Sequence, residues 1–424
     1  MVRIVELRTV RQVVDAHVEH GTRYGSWELG ASWNTLGKIV RQQSEKQVLR
    51  GAPAMLEPLA EDTEQTLPWF EARPLANTVS GLANLHASRS WRASDALWAG
   101  LAAQGIKCVP KMEAQHLSNT LHGFAKVGRR EPALLDAIAT EAVRGGLRDF
   151  RPQELTNTAW AFAKAERAAP TLLDAIATEA VRGGMRDFNP QNLTNTAWAF
   201  ATAGHAAPAL LDAIATEAVR GGLREFKPQE LANAAWAFAV ADHLAPALFD
   251  GDAFVQQLCA AERSFSPDEL CQLHQWQLWQ EERGAAWPPL PPELSQRCRT
   301  AFSSKEGVPS RLQLAVVASL QAMGLAPREE VRTEQGYSLD AVVVYGGREV
   351  AIEVDGPTHF FGRMRGRSPT GGTALKRRQL RAAGWALLPV PHWEWTALGS
   401  GDGTPSATVR AAQQEYLRAA LNEA

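Results

Sequence analysis

Three acids with the chemistry to hold a metal ion stand close together near the C-terminal end of the 424-residue chain: Asp340, Glu353 and Asp355. Glu353 and Asp355 flank Val354 in the run Arg348–Asp355, and alternation of this kind places both side chains on one face of a strand. Asp340 follows Ser338-Leu339 at the head of a second apolar run that ends at Tyr345, and Gly346-Gly347 between the two runs reads as a hairpin turn. Acids converging at the open end of such a hairpin would offer oxygen ligands to a hard cation, Mg²⁺ or Mn²⁺. That ion could activate water for phosphodiester cleavage. His359 adds an imidazole just after the strand, and Lys376 adds a positive charge from a following helix. The candidate catalytic set is therefore Asp340, Glu353, Asp355 and Lys376, with Asp340, Glu353 and Asp355 as candidate metal ligands. The plainer alternative stays open: the acids hold the hairpin by hydrogen bonds, in a domain that binds without cutting and requires no cofactor.

The same region is set up for a polyanion. From Gly356 to Trp393 there is no acidic residue, while Arg363, Arg365, Arg367, Lys376, Arg377, Arg378 and Arg381 all fall there. Together with His359 they are candidate RNA contacts, the segment from Arg363 to Thr373 reading as a basic loop. His359, Phe360, Phe361, Trp385, Trp393 and Trp395 are available to stack on bases.

The elements that must carry this region begin with a repeat. Leu155 to Ala163 recurs as Leu193 to Ala201 and as Leu231 to Ala239, with the same offset of 38 residues. Pro132, Pro170, Pro208 and Pro246 keep the register, as do Asp136, Asp174, Asp212 and Asp250. A degenerate copy starts at Leu117-Ser118-Asn119, with weaker echoes at Asn77-Thr78 and Asn34-Thr35. Each unit reads as two helices. The first opens at Pro152, Pro190 or Pro228, where proline's missing N–H costs nothing. Leu155, Ala159, Phe162 and Ala163 make one buried stripe. The second opens at Pro170 and ends at Gly183-Gly184. Such hairpins bury their apolar faces only by stacking, so the expectation is an α-solenoid.

Stacking would line up equivalent residues. Asn119, Asn157, Asn195 and Asn233 form one column and are candidate base-reading amides. Lys164 lies two helical turns after Asn157, in a column that varies as Lys126, Lys164, Thr202 and Val240. Arg144, Arg182 and Arg220 form another column, open to phosphates or to pairing with Glu141, Glu179 and Glu217 three residues earlier. Trp160, Trp198 and Trp236 are expected to be core. Residues 130–250 hold 11 Lys and Arg against 15 Asp and Glu, so the array as a whole is no phosphate magnet.

The 38-residue period with its L-(T/A)-N-(T/A)-A-W-A-F-A string, over about residues 112–283, resembles the octotricopeptide repeat family of organellar RNA-binding proteins. The stretch 337–396 closely resembles the RAP domain. The carriers are Ser338-Leu339-Asp340, Glu353 to Phe360, Leu375-Lys376, Gly384-Trp385 and Pro391-His392-Trp393-Glu394-Trp395. RAP domains are found with such repeats in organellar RNA-binding proteins related to FAST-kinase-like proteins. The resemblance implies an RNA-binding module of restriction-endonuclease-like fold. It departs from the broad nuclease pattern by putting Asp355 where a lysine would stand.

Composition sets the outer limits. With 45% hydrophobic and 21% charged residues and a net charge of −2, the chain is neither largely disordered nor a uniformly basic nucleic-acid coat. Its four cysteines form no C-x-x-C, which excludes a disulfide framework and the common zinc motifs. The N-terminal stretch mixes Arg3, Arg8 and Arg11 with Glu6, Asp15 and Glu19, so no targeting peptide is evident, and no apolar run is long enough to span a membrane. The expected fold is an α-solenoid of 38-residue helical hairpins plus a small C-terminal α/β domain of restriction-endonuclease-like type. Expected boundaries are 1–70 for degenerate helical repeats, 71–283 for the array, 284–308 for a Pro-rich linker and 309–424 for the α/β domain. The expected function is binding of single-stranded organellar RNA, in a mitochondrion or chloroplast by resemblance, with other ribonucleoprotein components as further partners. The rival functions are a metal-dependent RNA endonuclease and a protein-binding scaffold.

Overall fold

The computed structural model describes residues 3–305, 307–361, 368–399 and 406–424. By internal packing the chain divides into two compact units, 1–199 and 200–424. Among the described residues, no helix is long and apolar enough to cross a membrane.

The first unit is a succession of helical hairpins. Its inner helices, Ser26–Ile39, Ala72–Ala87, Ala114–Lys126 and Pro152–Lys164, pack each against the next. Close approach explains the glycines of the early repeats: a Cβ on Gly81 would lie 2.1 Å from the Trp33 carbonyl oxygen, and one on Gly30 2.8 Å from Pro74. The outer helices Pro132–Gly145 and Pro170–Arg182 start on the prolines that keep the 38-residue register. The stripe Leu155, Ala159, Phe162 and Ala163 is buried.

Capping explains two buried acids. Asn189 caps the helix Pro190–Ala203 by accepting from the Asn192 N–H at 2.8 Å. Arg151 and Lys227 stand in the equivalent place and cannot do this. There Glu154 and Glu230 reach back to accept from the Arg151 and Lys227 N–H groups, each at 2.8 Å. Both otherwise orphaned helix-start amides are satisfied by a side chain from inside the helix. The repeating aspartates are latches within a repeat: Asp136 accepts from Arg167 and Asp212 from His243, 31 residues on in each case.

The second unit joins the last repeats to the α/β domain. Its sheet has the strands β1 (Arg328–Arg332), β2 (Ser338–Tyr345), β3 (Arg348–Asp355) and β4 (Ala386–Pro391) in that spatial order. The pairs β1–β2 and β2–β3 are antiparallel, and β3–β4 is parallel. A parallel pair needs a crossover, and here it contains the helix Gly371–Ala382. Alternation along β3 sends Val350, Ile352 and Val354 to one face, against Val316, Leu320, Leu417 and Leu421 of the helices Arg311–Ala322 and Ala407–Glu423. Ala351 goes to the other face, with Leu380 of the crossover helix and Leu278 of the last repeat helix, Pro267–Arg283.

That second face corrects the expectation of a linker at 284–308. Trp287 packs on Phe249 and Trp279 and donates to Asp250 at 2.8 Å. Residues Pro292–Ser303 form a helix against Pro267–Arg283. Prolines that read as a stiff spacer instead start a helix at Pro292, because an apolar surface was waiting for it.

The crossover helix fits against the repeats with no clearance. A Cβ on Gly371 would lie 1.9 Å from the Ala201 carbonyl oxygen. Arg378 Nε donates to Glu282 at 2.8 Å, and its Nη2 to the Ala239 carbonyl at 2.6 Å. That carbonyl belongs to the last turn of the helix Pro228–Ala241, where it also accepts the Asp242 N–H at 3.3 Å and sits at the partially negative end of the helix. Beside it, Trp236 Nε1 donates to Gln275 Oε1 at 2.9 Å and Gln275 Nε2 donates to the Tyr337 hydroxyl at 2.9 Å. Tyr337 in turn donates to Gln379 Oε1 at 2.6 Å. We expect Arg378→Ala to lower the stability of this unit by ~2 kcal/mol, since it strands the mostly buried Glu282. Urea unfolding followed by tryptophan fluorescence checks this; an unchanged midpoint would remove the clamp from the account.

Candidate nucleic-acid interface

The acids of β2 and β3 lie close together, but each is engaged by a partner of its own. The β2–β3 ladder ends at Ala341 opposite Ile352, one step short of Asp340 and Glu353. Asp340 Oδ2 instead accepts the Val354 N–H at 2.6 Å, so the carboxylate continues the ladder in place of a backbone carbonyl. Glu353 Oε2 is paired with Lys376 Nζ, which also donates to the Ser338 carbonyl at 2.8 Å. Asp355 is paired with Arg377, and His359 Nδ1 lies 3.1 Å from its other oxygen. The three carboxylates expected to form a cage, Asp340, Glu353 and Asp355, are thus bonded to three different partners. Among the described residues no group of three such side chains is placed to hold a metal ion. Lys376 and Arg377 of the following helix engage Glu353 and Asp355, while a backbone N–H engages Asp340.

What the structure does bring together is a small pocket of about 140 Å³ at the start of the helix Gly371–Ala382. Its lining includes Glu353, Asp355, His359, Thr373, Lys376 and Arg377. Lys376 brings a positive charge into this pocket beside Glu353. Glu353 is only 5% exposed, and its Oε1 has no hydrogen-bond partner. Burial pushes its carboxyl up to about 7, against the pull of Lys376 and with a further push from Asp340 and Asp355. Burial raises Asp340 as well.

The basic residues expected to face RNA divide three ways. Lys376, Arg377 and Arg378 are committed to Glu353, Asp355 and Glu282. Arg381 is exposed. Arg363, Arg365 and Arg367 lie outside the described residues. Of the aromatic side chains, Phe360, Phe361 and Trp395 are buried, so they pack the domain and are not free to stack on bases. Trp385 and Trp393 are half-buried, with Trp393 edge-on to Phe360 at 4.3 Å.

On the repeats, Asn119, Asn157, Asn195 and Asn233 are half-buried and Lys164 is exposed. Trp160, Trp198 and Trp236 are half-buried too, whereas Phe162, Phe200 and Phe238 fill the core. The expectation of a tryptophan core is corrected: three residues after each Asn, the indoles share its side of the helix. The last copy is covered by the chain itself. Asn233 Oδ1 accepts from Gln272 at 3.0 Å, and Val240 meets Gly371. The arginine column is paired: Arg144, Arg182 and Arg220 donate from Nε to Glu141, Glu179 and Glu217 at 2.9, 3.0 and 2.7 Å. Sequence reasoning missed Glu282, Gln275 and Gln379, for polar residues on helices give no sign of partners that lie from 39 to 96 residues away.

Comparison with known proteins covers both parts of the chain. Residues 352–403 match the RAP domain model, and the chain carries a RAP domain at its C-terminal end. Residues 52–259 match the model of the RNA-editing substrate-binding complex 6 protein. A curated relative is the chloroplastic RAP domain-containing protein of Oryza sativa subsp. japonica, 46% identical over 66 residues. That match spans 16% of this chain and only 10% of the rice protein. Among solved structures, a circular tandem repeat protein with novel repeat topology aligns over 69% of this chain and 86% of its own. It is 13% identical with a TM-score of 0.25, too low for any conclusion to rest on.

The Glu353–Lys376 pair has a measurable consequence. A carboxyl that titrates near 4.5 in the unfolded chain and near 7 in the folded one binds the extra proton in the folded state. Its contribution to stability is full below pH 4.5 and is lost as pH rises to about 7. The loss is on the order of 3 kcal/mol. Glu353→Gln should flatten that part of the stability–pH curve, and Lys376→Met should move the Glu353 midpoint higher still. Thermal unfolding from pH 4.5 to 8 reads the first effect and carboxyl NMR the second; a midpoint at or below 4.5 in the wild type would refute the assignment.

Proposed function

We propose that this protein binds single-stranded organellar RNA and acts in its processing, stability or translation, on mRNA or rRNA and alongside other ribonucleoprotein components. The observation that carries this reading is the double match. The repeat region resembles a protein whose name places it in an RNA-editing substrate-binding complex, and the residues after it form a RAP domain. The name of the rice relative supports a chloroplast, and a mitochondrion remains within the proposal. A restriction-endonuclease-like relationship is part of the reading too, supported by the antiparallel hairpin β2–β3 with a helix crossing over to the parallel β4.

The endonuclease reading is second. Lys376 beside Glu353 favours it, since a buried carboxylate and an ammonium could position water and a scissile phosphate. Against it, Asp340 is engaged by the Val354 N–H, and catalysis would have to break that bond. Binding is therefore preferred over cutting.

The test is to crosslink RNA to the protein in its native cells and sequence the fragments. We expect a few organellar transcripts strongly enriched, and no enrichment above background would end the RNA reading. In a second arm, purified protein is incubated with single-stranded RNA and Mn²⁺ beside an Asp340→Ala/Glu353→Ala variant. We expect the two to behave alike; cleavage seen only in the wild type would promote the nuclease.

A further inference from the structure

A wide cleft of the first unit lies over the degenerate repeats, away from the clear 38-residue copies. It encloses about 1020 Å³, at the upper end of the ~300–1,000 Å³ typical of ligand sites. Three successive inner helices each bring one asparagine to it: Asn34, Asn77 and Asn119. These are the positions that the repeat register makes equivalent to Asn157. Four cations also line it, Lys38, Arg73, Lys107 and Lys111, against the two acids Glu71 and Glu113. All four are exposed, and among the described residues none is in an ion pair. At one edge stands Trp27, 50% exposed, with the Arg73 guanidinium 5.3 Å from its ring centroid.

The neighbouring cleft in the same unit provides the contrast. It encloses about 460 Å³, and its lining has Glu113, Glu141, Asp149 and Glu154 against Arg151 alone. Arg151 is itself bonded to Glu154. The two clefts belong to the same array, yet one carries an excess of two positive charges and the other an excess of three negative ones. Phosphates are attracted to the first and repelled from the second.

We propose that the cleft lined by Asn34, Asn77, Asn119, Lys38, Lys107 and Lys111 binds a short single-stranded RNA segment. The inference rests on the RNA-binding reading and locates it. The lysines neutralise phosphates. The amides, each both donor and acceptor, meet the exposed edges of unpaired bases. Trp27 offers an indole face to a terminal base, with Arg73 reinforcing it. In duplex RNA the Watson–Crick edges are already paired with each other, so an unpaired strand is the form the cleft selects.

The experiment uses the full chain and a fluorescein-labelled 12-nucleotide single-stranded RNA of random sequence, with anisotropy read from low to moderate salt. The variant is Lys38→Gln/Lys107→Gln/Lys111→Gln; its side chains are exposed, and equal melting temperatures confirm that it folds. A matched variant, Arg11→Gln/Arg23→Gln/Lys46→Gln, removes three cations of the same unit outside the cleft. We expect the cleft variant to bind at least tenfold more weakly at low salt, with a log–log salt slope shallower by about 2. The matched variant should follow the wild type within twofold. Ultraviolet crosslinking and mass spectrometry should place RNA on the peptides holding Trp27–Lys38 or Lys107–Lys111. Wild-type binding that the cleft variant retains, or crosslinks confined to other peptides, would overturn the cleft while leaving the RNA reading intact. A wild-type chain with no affinity for the RNA would overturn both.

Discussion

One contact organises the second unit: the helix Gly371–Ala382 lies between the sheet and the last repeat helices and belongs to both. Its Leu380 joins Leu278 from the repeats and Ala351 from β3 in one apolar cluster. Its Arg378 adds a hydrogen bond to the Ala239 carbonyl at the end of a repeat helix while pairing with Glu282. Neither partner would be stable exposed. A sheet face carrying Leu339, Val342 and Leu387 needs an apolar cover. A stack of hairpins needs a cap at its end, since the final hairpin has no successor to bury its inner side. The α/β domain and the end of the repeats solve each other's problem, and the helix Pro292–Ser303 fills what the crossover helix leaves open.

Charge follows from that arrangement. Around the sheet and along the clear repeats, most of the arginines have nearby acids, and pairing at hydrogen-bond distance takes them out of competition for a polyanion. Arg144, Arg182 and Arg220 each have a glutamate three residues earlier on the same helix face. Lys376, Arg377 and Arg378 meet Glu353, Asp355 and Glu282 because a basic helix has packed onto an acid-bearing strand and an acid-bearing repeat. A count of basic residues in a segment therefore overstates the field that the segment projects. The early repeats differ because, among the described residues, Lys38, Lys107 and Lys111 form no ion pair, and they line the cleft.

The sequence was most legible where one local rule settles the outcome. Proline at 152, 170, 190, 208 and 228 opens a helix because nothing else there competes. The β2–β3 hairpin follows from alternation and its glycine pair. It was least legible where a residue's partner is remote. Nothing local distinguishes Phe162, which fills the core, from Trp160, which shares a side with Asn157; only the stacking direction of the helices does. The strand β1 and the helices Pro292–Ser303 and Ala407–Glu423 are short or polar enough that their apolar sides emerge only against a partner. For the candidate site, the sequence gathered the right residues and misjudged their relations. It grouped three acids by proximity, whereas the fold gives each acid a separate bond.

Those separate bonds say what the pocket beside Glu353 is built to tolerate. Asp340 is tied to the backbone and Asp355 to the Arg377 guanidinium and the His359 ring, so both carboxylates are engaged. Glu353 alone keeps an oxygen with no partner, in a site that burial makes hostile to its charge. A buried polar atom left open costs free energy, and the fold lowers that cost by letting the carboxyl keep its proton up to about pH 7. Neutral, it is a hydrogen-bond donor beside Lys376; ionised, it is half of an ion pair. The pocket thus has two electrostatic states near neutral pH. Which one prevails depends on whether the neighbouring space offers Glu353 an acceptor or a cation.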